Sequence, residues 1–561
     1  MRREWLMCLV AGSALAAEGP AADRIFLHGN VLTGAALTSP QPQRVAALAL
    51  GGDRILAAGS DEEVSRLRGP ATEIIDLKGA FVMPGFEDAH VHLAQAGALA
   101  LQADLRGSAS LNEMLSRVQA AAEHAAPGAW LRGGGWDHTL WQDARLPSRS
   151  DLDPLTGNHP AMFSRVDDHI AVANSAALKA WGLTRATPDP PGGKLDRDAS
   201  GELSGILRET AKGMYEAKIP PPTRQLRRQA LEIAAAEAIR HGVTSVQDYS
   251  SWEDFRAYEQ MEREGKLPLR VSEWLTFSDP PAVLTRQRAA HRQDDVMLHT
   301  GMLKGFMDGS LGSHTAALNA PYSDDPQNRG IAGYEQARLD EMTIERARLG
   351  FQIGFHAIGD RAVSMALHAF AAAQAALPPA QRGRLRFRIE HDQVIAAPDL
   401  ERQAALHVIA SMQPSHLLTD LRWVQERLGP ERARYSYAWK SMLDHGIPLA
   451  FGTDYPVEPV SPLRGLYAAV TRMETPGSAH QAVYFPEERL SIAQAIHAYT
   501  QGAAYAEGRE NIKGRLAPGQ LADFVVLDRD LLRATPEEIF GTRVLRTVIG
   551  GHTVFAESHE R

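Results

Sequence analysis

The chain reads as an α/β protein: a (β/α)8 barrel of the TIM type, with a composite β-sandwich domain from both termini and an insertion after the first barrel strand. Three observations predict this. Apolar strand candidates at 80–92, 243–248, 269–275, 302–308, 351–356, 387–391, 408–412 and 448–454 alternate with alanine-rich helical patterns such as 231–240, 362–376 and 399–406. Short strands punctuated by turn residues crowd both ends of the chain, outside that alternation. The stretch between the first two barrel strands is far longer than one crossover helix requires.

At the N-terminus, Met1-Arg2-Arg3-Glu4 precedes an apolar run from Trp5 that closes on Ala14-Leu15-Ala16-Ala17. A basic start, a short apolar centre and a small-residue end predict a signal peptide over 1–17, and with it a periplasmic or secreted protein. The competing reading is a cytoplasmic chain with a ragged start. The run is shorter than the roughly 20 residues that span a bilayer, so no membrane partner is expected for the mature form. Residues 22–82 hold short strands around Ile25-Phe26-Leu27, Val45 to Leu50 and Arg54 to Ala58, broken by Gly51-Gly52-Asp53. Residues 515–561 repeat that style in Phe524-Val525-Val526-Leu527 and Arg546 to Phe555, so the two ends are expected to build one small β-domain. The barrel occupies 83–514. Its insertion, at about 95–230, carries Gly133-Gly134-Gly135-Trp136-Asp137 and a proline-rich loop, and is expected to lie over the barrel mouth.

Composition narrows the chemistry. With 561 residues and 44% hydrophobic content there is ample material for a large core. The net charge of -9 is modest and dispersed, which argues against nucleic acid and anionic lipid as partners. The single cysteine, Cys8, permits neither a disulfide framework nor a thiolate zinc site. A metal here must use histidine, carboxylate or modified lysine. Neither a G-x-S-x-G nucleophile elbow nor a G-x-x-x-x-G-K-[ST] phosphate loop occurs.

His90-Val91-His92 closes the first strand, after the apolar run Ala80 to Pro84. Alternate residues of a strand share a face, so both imidazoles point the same way, an arrangement that suits a metal. Such a pair alone is a weak signal. Functional groups of a (β/α)8 barrel project from the C-terminal ends of its strands. There stand His356 on the fifth strand, His391 on the sixth and Asp454 on the eighth, with Lys304 inside the apolar fourth strand. Any one of these reads as a core residue or a helix cap. Five of them on four strand ends of one barrel read as a metal site.

The segments Val82 to His92, Met307 to Ser313, His356-Ala357-Ile358-Gly359-Asp360, Arg388-Ile389-Glu390-His391, Ser411 to His416, Gly452-Thr453-Asp454-Tyr455-Pro456 and Gly514 to Asp523 resemble the metal-dependent amidohydrolase superfamily. Within it the chain is similar to the amidohydrolase-3, YtcJ-like branch, which includes N-substituted formamide deformylases. The resemblance implies one or two divalent ions. His90, His92 and Asp454 would hold one; His356 and His391 would hold a second, with Lys304 bridging as an N-carboxylated lysine. The chemistry agrees, because burial drives a lysine towards the neutral amine that takes up carbon dioxide. An unmodified Lys304 paired with Asp308, and a one-metal site, stay open. Zinc is the default ion for imidazole and carboxylate donors, and manganese, iron or cobalt fit as well.

The function implied is hydrolysis of a linear carbon–nitrogen bond in a small N-acyl or N-formyl compound by metal-activated hydroxide, with Asp454 as general acid and base. Hydrolysis of a cyclic amide or an ester uses the same site, and a non-catalytic exported binding protein is the reading from another class. The glutamate on which aromatic amine deaminases of this barrel rely is absent from Phe355 to Asp360. Candidate substrate contacts are His416 at the end of strand seven, His169, Asn174 and Trp136 in the insertion, and His314, where relatives tend to carry arginine. For His416 and Trp136 a plain core role competes. Oligomeric state is left open, a homo-oligomer included.

Overall fold

Eight parallel strands surround the barrel axis in chain order: β1 (Phe86–Val91), β2 (Val243–Asp248), β3 (Arg270–Thr276), β4 (Leu298–Phe306), β5 (Ile353–Ala357), β6 (Arg388–His391), β7 (Ile409–Met412) and β8 (Leu449–Phe451). The structure is a computed structural model and describes residues 21–138, 141–165, 170–191, 193–478 and 482–557. The expected signal peptide and His169 lie outside the described residues. None of the described helices is long and apolar enough to cross a membrane.

The barrel closes where β8 returns to β1, through a parallel bridge between Val91 and Tyr455. Two backbone bonds of 2.8 Å make the seam: Asp454 N–H donates to the His90 carbonyl, and His92 N–H to that of Tyr455. Gly452 permits the approach, since a Cβ there would stand 2.6 Å from the His90 nitrogen. The seam therefore carries three of the expected ligands.

The expected first strand, 80–92, is in fact two. Phe81–Pro84 pairs with Asn30–Leu32 and Phe524–Leu527 in the terminal β-domain, and β1 begins only after Gly85. The chain crosses there against β2, and a Cβ on Gly85 would lie 2.3 Å from the Thr244 side chain. Unbroken burial on both sides of Gly85 hides this break from any hydrophobic pattern. The fourth strand starts at Leu298 rather than 302, and the eighth stops at Phe451, which leaves Asp454 on the loop beyond it.

Helices sheathe the barrel. The alanine-rich α1 (Asp360–Ala376) presents Phe370 between Phe355 and Phe387, at ring separations of 5.0 and 4.7 Å, both stacked at 13°. The termini contribute a four-stranded and a six-stranded sheet. Phe26, Leu48 and Leu50 of the first pack with Val82, Phe524, Val526 and Val548 of the second, and Phe26 meets Phe524 edge-to-face at 5.1 Å. The insertion has a six-stranded mixed sheet and an apolar core of its own.

Under the barrel floor, Lys513 is shared by two buried carboxylates: Glu87 of β1, at 3.0 Å, and Glu507. Glu507 also faces His299 at 3.2 Å. One cation cannot hold two buried anions equally. Although burial opposes its charge, Lys513 and His299 draw the Glu507 carboxyl down to about 2, whereas burial pushes Glu87 up to about 8. A carboxyl raised on folding contributes stability below its ordinary 4.5 and loses that contribution as pH rises through about 8. Wild-type protein should thus lose stability across this window, and Glu87→Gln should flatten the loss. Denaturant midpoints at several pH values check this, and parallel curves for both proteins would contradict it.

Candidate metal centre

The expected ligands converge inside the upper barrel. His90 and His391 are buried, as is Asp454, and one donor atom from each lies within 4.8 Å of the other two. Asp454 Oδ1 stands 3.1 Å from His92 Nε2 and 3.7 Å from His90 Nε2, while Asp454 Oδ2 stands 3.3 Å from His416 Nε2. The His391 ring packs at 4.4 Å from that of His356 and at 4.9 Å from that of His90. His90, His92, Lys304, His356, His391, Asp454 and His416 are thus brought together.

Outer partners set the tautomers. His92 Nδ1 lies 3.0 Å from the Tyr249 carbonyl, which can only accept, so Nδ1 carries the proton. In the neutral ring the Nε2 lone pair then faces the Asp454 carboxylate, acceptor against acceptor. His90 Nδ1 lies 2.8 Å from Glu390 Oε2, so its Nε2 is likewise an acceptor, met at 3.0 Å by Lys304 Nζ. Buried His391 Nδ1 and Asp454 Oδ1 lack any hydrogen-bond partner among the described residues. Apart from Lys304 at His90 Nε2, these converging lone pairs meet no donor among the described residues, the environment a cation completes, so the residues present fit a divalent metal.

Electrostatics agree. Burial, reinforced by Lys304, holds His356 down to about 4 and His90 well below the usual imidazole range. Burial and the His356 ring do the same to His391. Neutral imidazole is the form that coordinates. Burial opposes charge on Asp454, yet it stays well below the usual carboxylate range; His416, drawn up in turn by this carboxylate against its own burial, is the neighbour placed to donate to it. Burial pushes the Lys304 amine down to about 8, and among the described residues it has no ion-pair partner. Asp308, the partner in the competing reading of an unmodified Lys304, instead accepts the backbone N–H groups of Ala317, Ile358 and Gly359.

His391 and Asp454 both sit at positive φ, 75° and 59°, which costs a non-glycine residue conformational energy. Asp88 helps to hold this geometry beneath the seam. Its oxygens accept from Thr453 N–H at 2.8 Å, Thr453 Oγ1 at 2.6 Å and His90 N–H at 3.2 Å.

Sequence reasoning missed Glu390. It lies inside the quoted Arg388-Ile389-Glu390-His391 segment, but only the fold shows that it orients His90 while Arg388 Nε holds its other oxygen at 2.7 Å. Other assignments change. Trp136 is a core residue of the insertion and not a pocket wall: it is wholly buried against residues such as Met114, Leu152 and Phe163, and its indole N–H donates to the Phe163 carbonyl. Asn174 is a structural cap. Its Oδ1 accepts from Ala161 and Ala177 N–H, and its Nδ2 donates to Thr156 Oγ1 and the His159 carbonyl, which uses the amide's whole capacity. His314 lies on the loop after β4, where its Nε2 is tied to Asp324 at 3.1 Å and its ring rests on Tyr322.

A (β/α)8 barrel with imidazoles, a carboxylate and a buried lysine converging at its strand ends defines a metal-dependent hydrolase. The chain belongs to the amidohydrolase family, whose model matches residues 73–555. It is 34% identical to Protein LONG AFTER FAR-RED 3 of Arabidopsis thaliana, over 96% of this chain and 92% of that protein. It is 33% identical to YtcJ of Bacillus subtilis, over 90% and 94%. An N-substituted formamide deformylase of Arthrobacter pascens is 26% identical, over 94% and 97%. Among solved structures, an uncharacterized metal-dependent hydrolase from Pyrococcus horikoshii superposes with a TM-score of 0.75 at 31% identity, covering 91% of this chain and 99% of its own.

Proposed function

We propose that this protein hydrolyses a linear amide, an N-acyl or N-formyl carbon–nitrogen bond, in a small molecule. The observation that carries the reading is the buried Asp454 carboxylate, its Oδ1 aimed at acceptor nitrogens and without a donor among the described residues. His90, His92 and Asp454 would hold one cation, and His356 and His391, with Lys304 carboxylated on Nζ, a second. A divalent ion there, zinc by default, supplies the Lewis acidity that activates water and polarises a carbonyl. Asp454 then accepts the proton of the attacking water and returns it to the departing amine. His416, within reach of Asp454 Oδ2, orients the substrate carbonyl or carboxylate from the opposite side of that carboxylate. The resemblance to a formamide deformylase supports a carbon–nitrogen bond over an ester.

The test is a substrate panel of N-formyl amines, N-acyl amines, cyclic amides and esters, with products identified by mass spectrometry. Release of free amine from the linear amides is expected. Turnover of esters or cyclic amides alone would overturn the reading. Export belongs to the same proposal: protein recovered from its natural host should begin after residue 17, and an N-terminus still at Met1 would refute it.

A further inference from the structure

The barrel mouth has two unlike sides. His391, His416 and Asp454 make one side polar. Opposite them stand two aromatic residues, Tyr249 directly after β2 and Phe306 at the end of β4. Phe306 follows Lys304 by two positions, so strand alternation places it on the same face, one step nearer the opening. Its ring lies 5.5 Å from that of His356 and 5.6 Å from that of Tyr249, and Tyr249 lies 5.9 Å from His92. His92, Tyr249, Phe306 and His356 form a continuous arc of rings around half of the ligand set.

Exposure makes this arc more than packing. Lys304 is 1% exposed, yet Phe306 above it is 43% exposed. Among the described residues the other large apolar side chains this exposed, Ile331, Val457 and Leu99 among them, carry no ring, and Phe306 alone is aromatic; single surface apolar residues need no explanation, whereas an open ring beside a buried polar centre does. A free phenyl face at the lip of a buried polar centre is the usual make-up of a small-molecule site, apolar walls around a few convergent polar groups. We infer that Phe306 and Tyr249 are the wall for a flat apolar part of the substrate, an aryl or aralkyl substituent on the amide; the inference rests on the hydrolase reading above. A group laid on this wall leaves the amide carbonyl facing Asp454 and His416 across the mouth.

Binding of two inert probes tests it without turnover. Acetohydroxamate and phenylacetohydroxamate share one metal-seeking head and differ by a phenyl ring. Calorimetric titration of the metal-loaded protein is expected to show the phenyl compound binding about tenfold tighter, the effect of partly burying one ring. Phe306→Ala should abolish most of that preference while leaving metal content and acetohydroxamate affinity in place. Folding is little at risk because the side chain is exposed, and the thermal midpoint verifies this. Equal affinities in wild type, or a phenyl preference that survives Phe306→Ala, would overturn the wall. Failure of both probes to bind the metal-loaded protein would overturn the reading of the site, and the wall with it.

Discussion

Asp454→Asn should lower kcat/KM for the best amide by about 10²–10⁴-fold, the usual contribution of a positioned general acid and base. The substitution is close to isosteric. It is also gentle on the backbone, since φ at this position is 59° and asparagine is the side chain that tolerates this region best after glycine. The amide can still meet His92 and His416, at the 3.1 and 3.3 Å now spanned by the carboxylate. It cannot take a proton. Loss of activity with circular dichroism unchanged is the expected result. Activity within tenfold of wild type would remove Asp454 from its assigned role.

Glu390→Gln is expected to weaken metal binding about 10–100-fold, as changes to the outer partner of a ligating histidine do. His90 then loses the full charge that stabilises its Nδ1–H, at 2.8 Å. A second effect should accompany the first. Arg388 and Glu390 are both fully buried, so the substitution leaves an unpaired guanidinium in the barrel interior, a loss of about 3–5 kcal/mol. A double variant, Glu390→Gln with Arg388→Met, separates the two: stability should largely return, and metal affinity should not. Chelator competition and denaturant melts read the two quantities independently. If affinity recovered together with stability, Glu390 would be only a structural partner of Arg388.

Much of this was legible in the sequence, for physical reasons. A parallel barrel buries its strands on both faces, so its eight apolar runs stand out, and its functional groups must fall at their C-terminal ends. That rule alone placed His356, His391 and Asp454 beside the His90–His92 pair. The same burial concealed the division at Gly85, because the runs on its two sides are equally apolar while belonging to different domains. No pattern announces that His391 and Asp454 adopt positive φ, nor that Tyr249 supplies a carbonyl to His92. Trp136 was misplaced because a tryptophan's apolar bulk suits a pocket and a core equally. Asn174 carried a readable signal: it directly precedes the helix Ser175–Ala180, where asparagine is a favoured cap.

On the proposed function, hydrolysis depends on a metal held at these strand ends. Elemental analysis of purified wild-type protein, paired with an amide assay before and after chelation, tests it most directly. One or two divalent ions per chain are expected, with hydrolysis lost on their removal and restored on their return. Metal-free protein that still hydrolyses the amide would contradict the account.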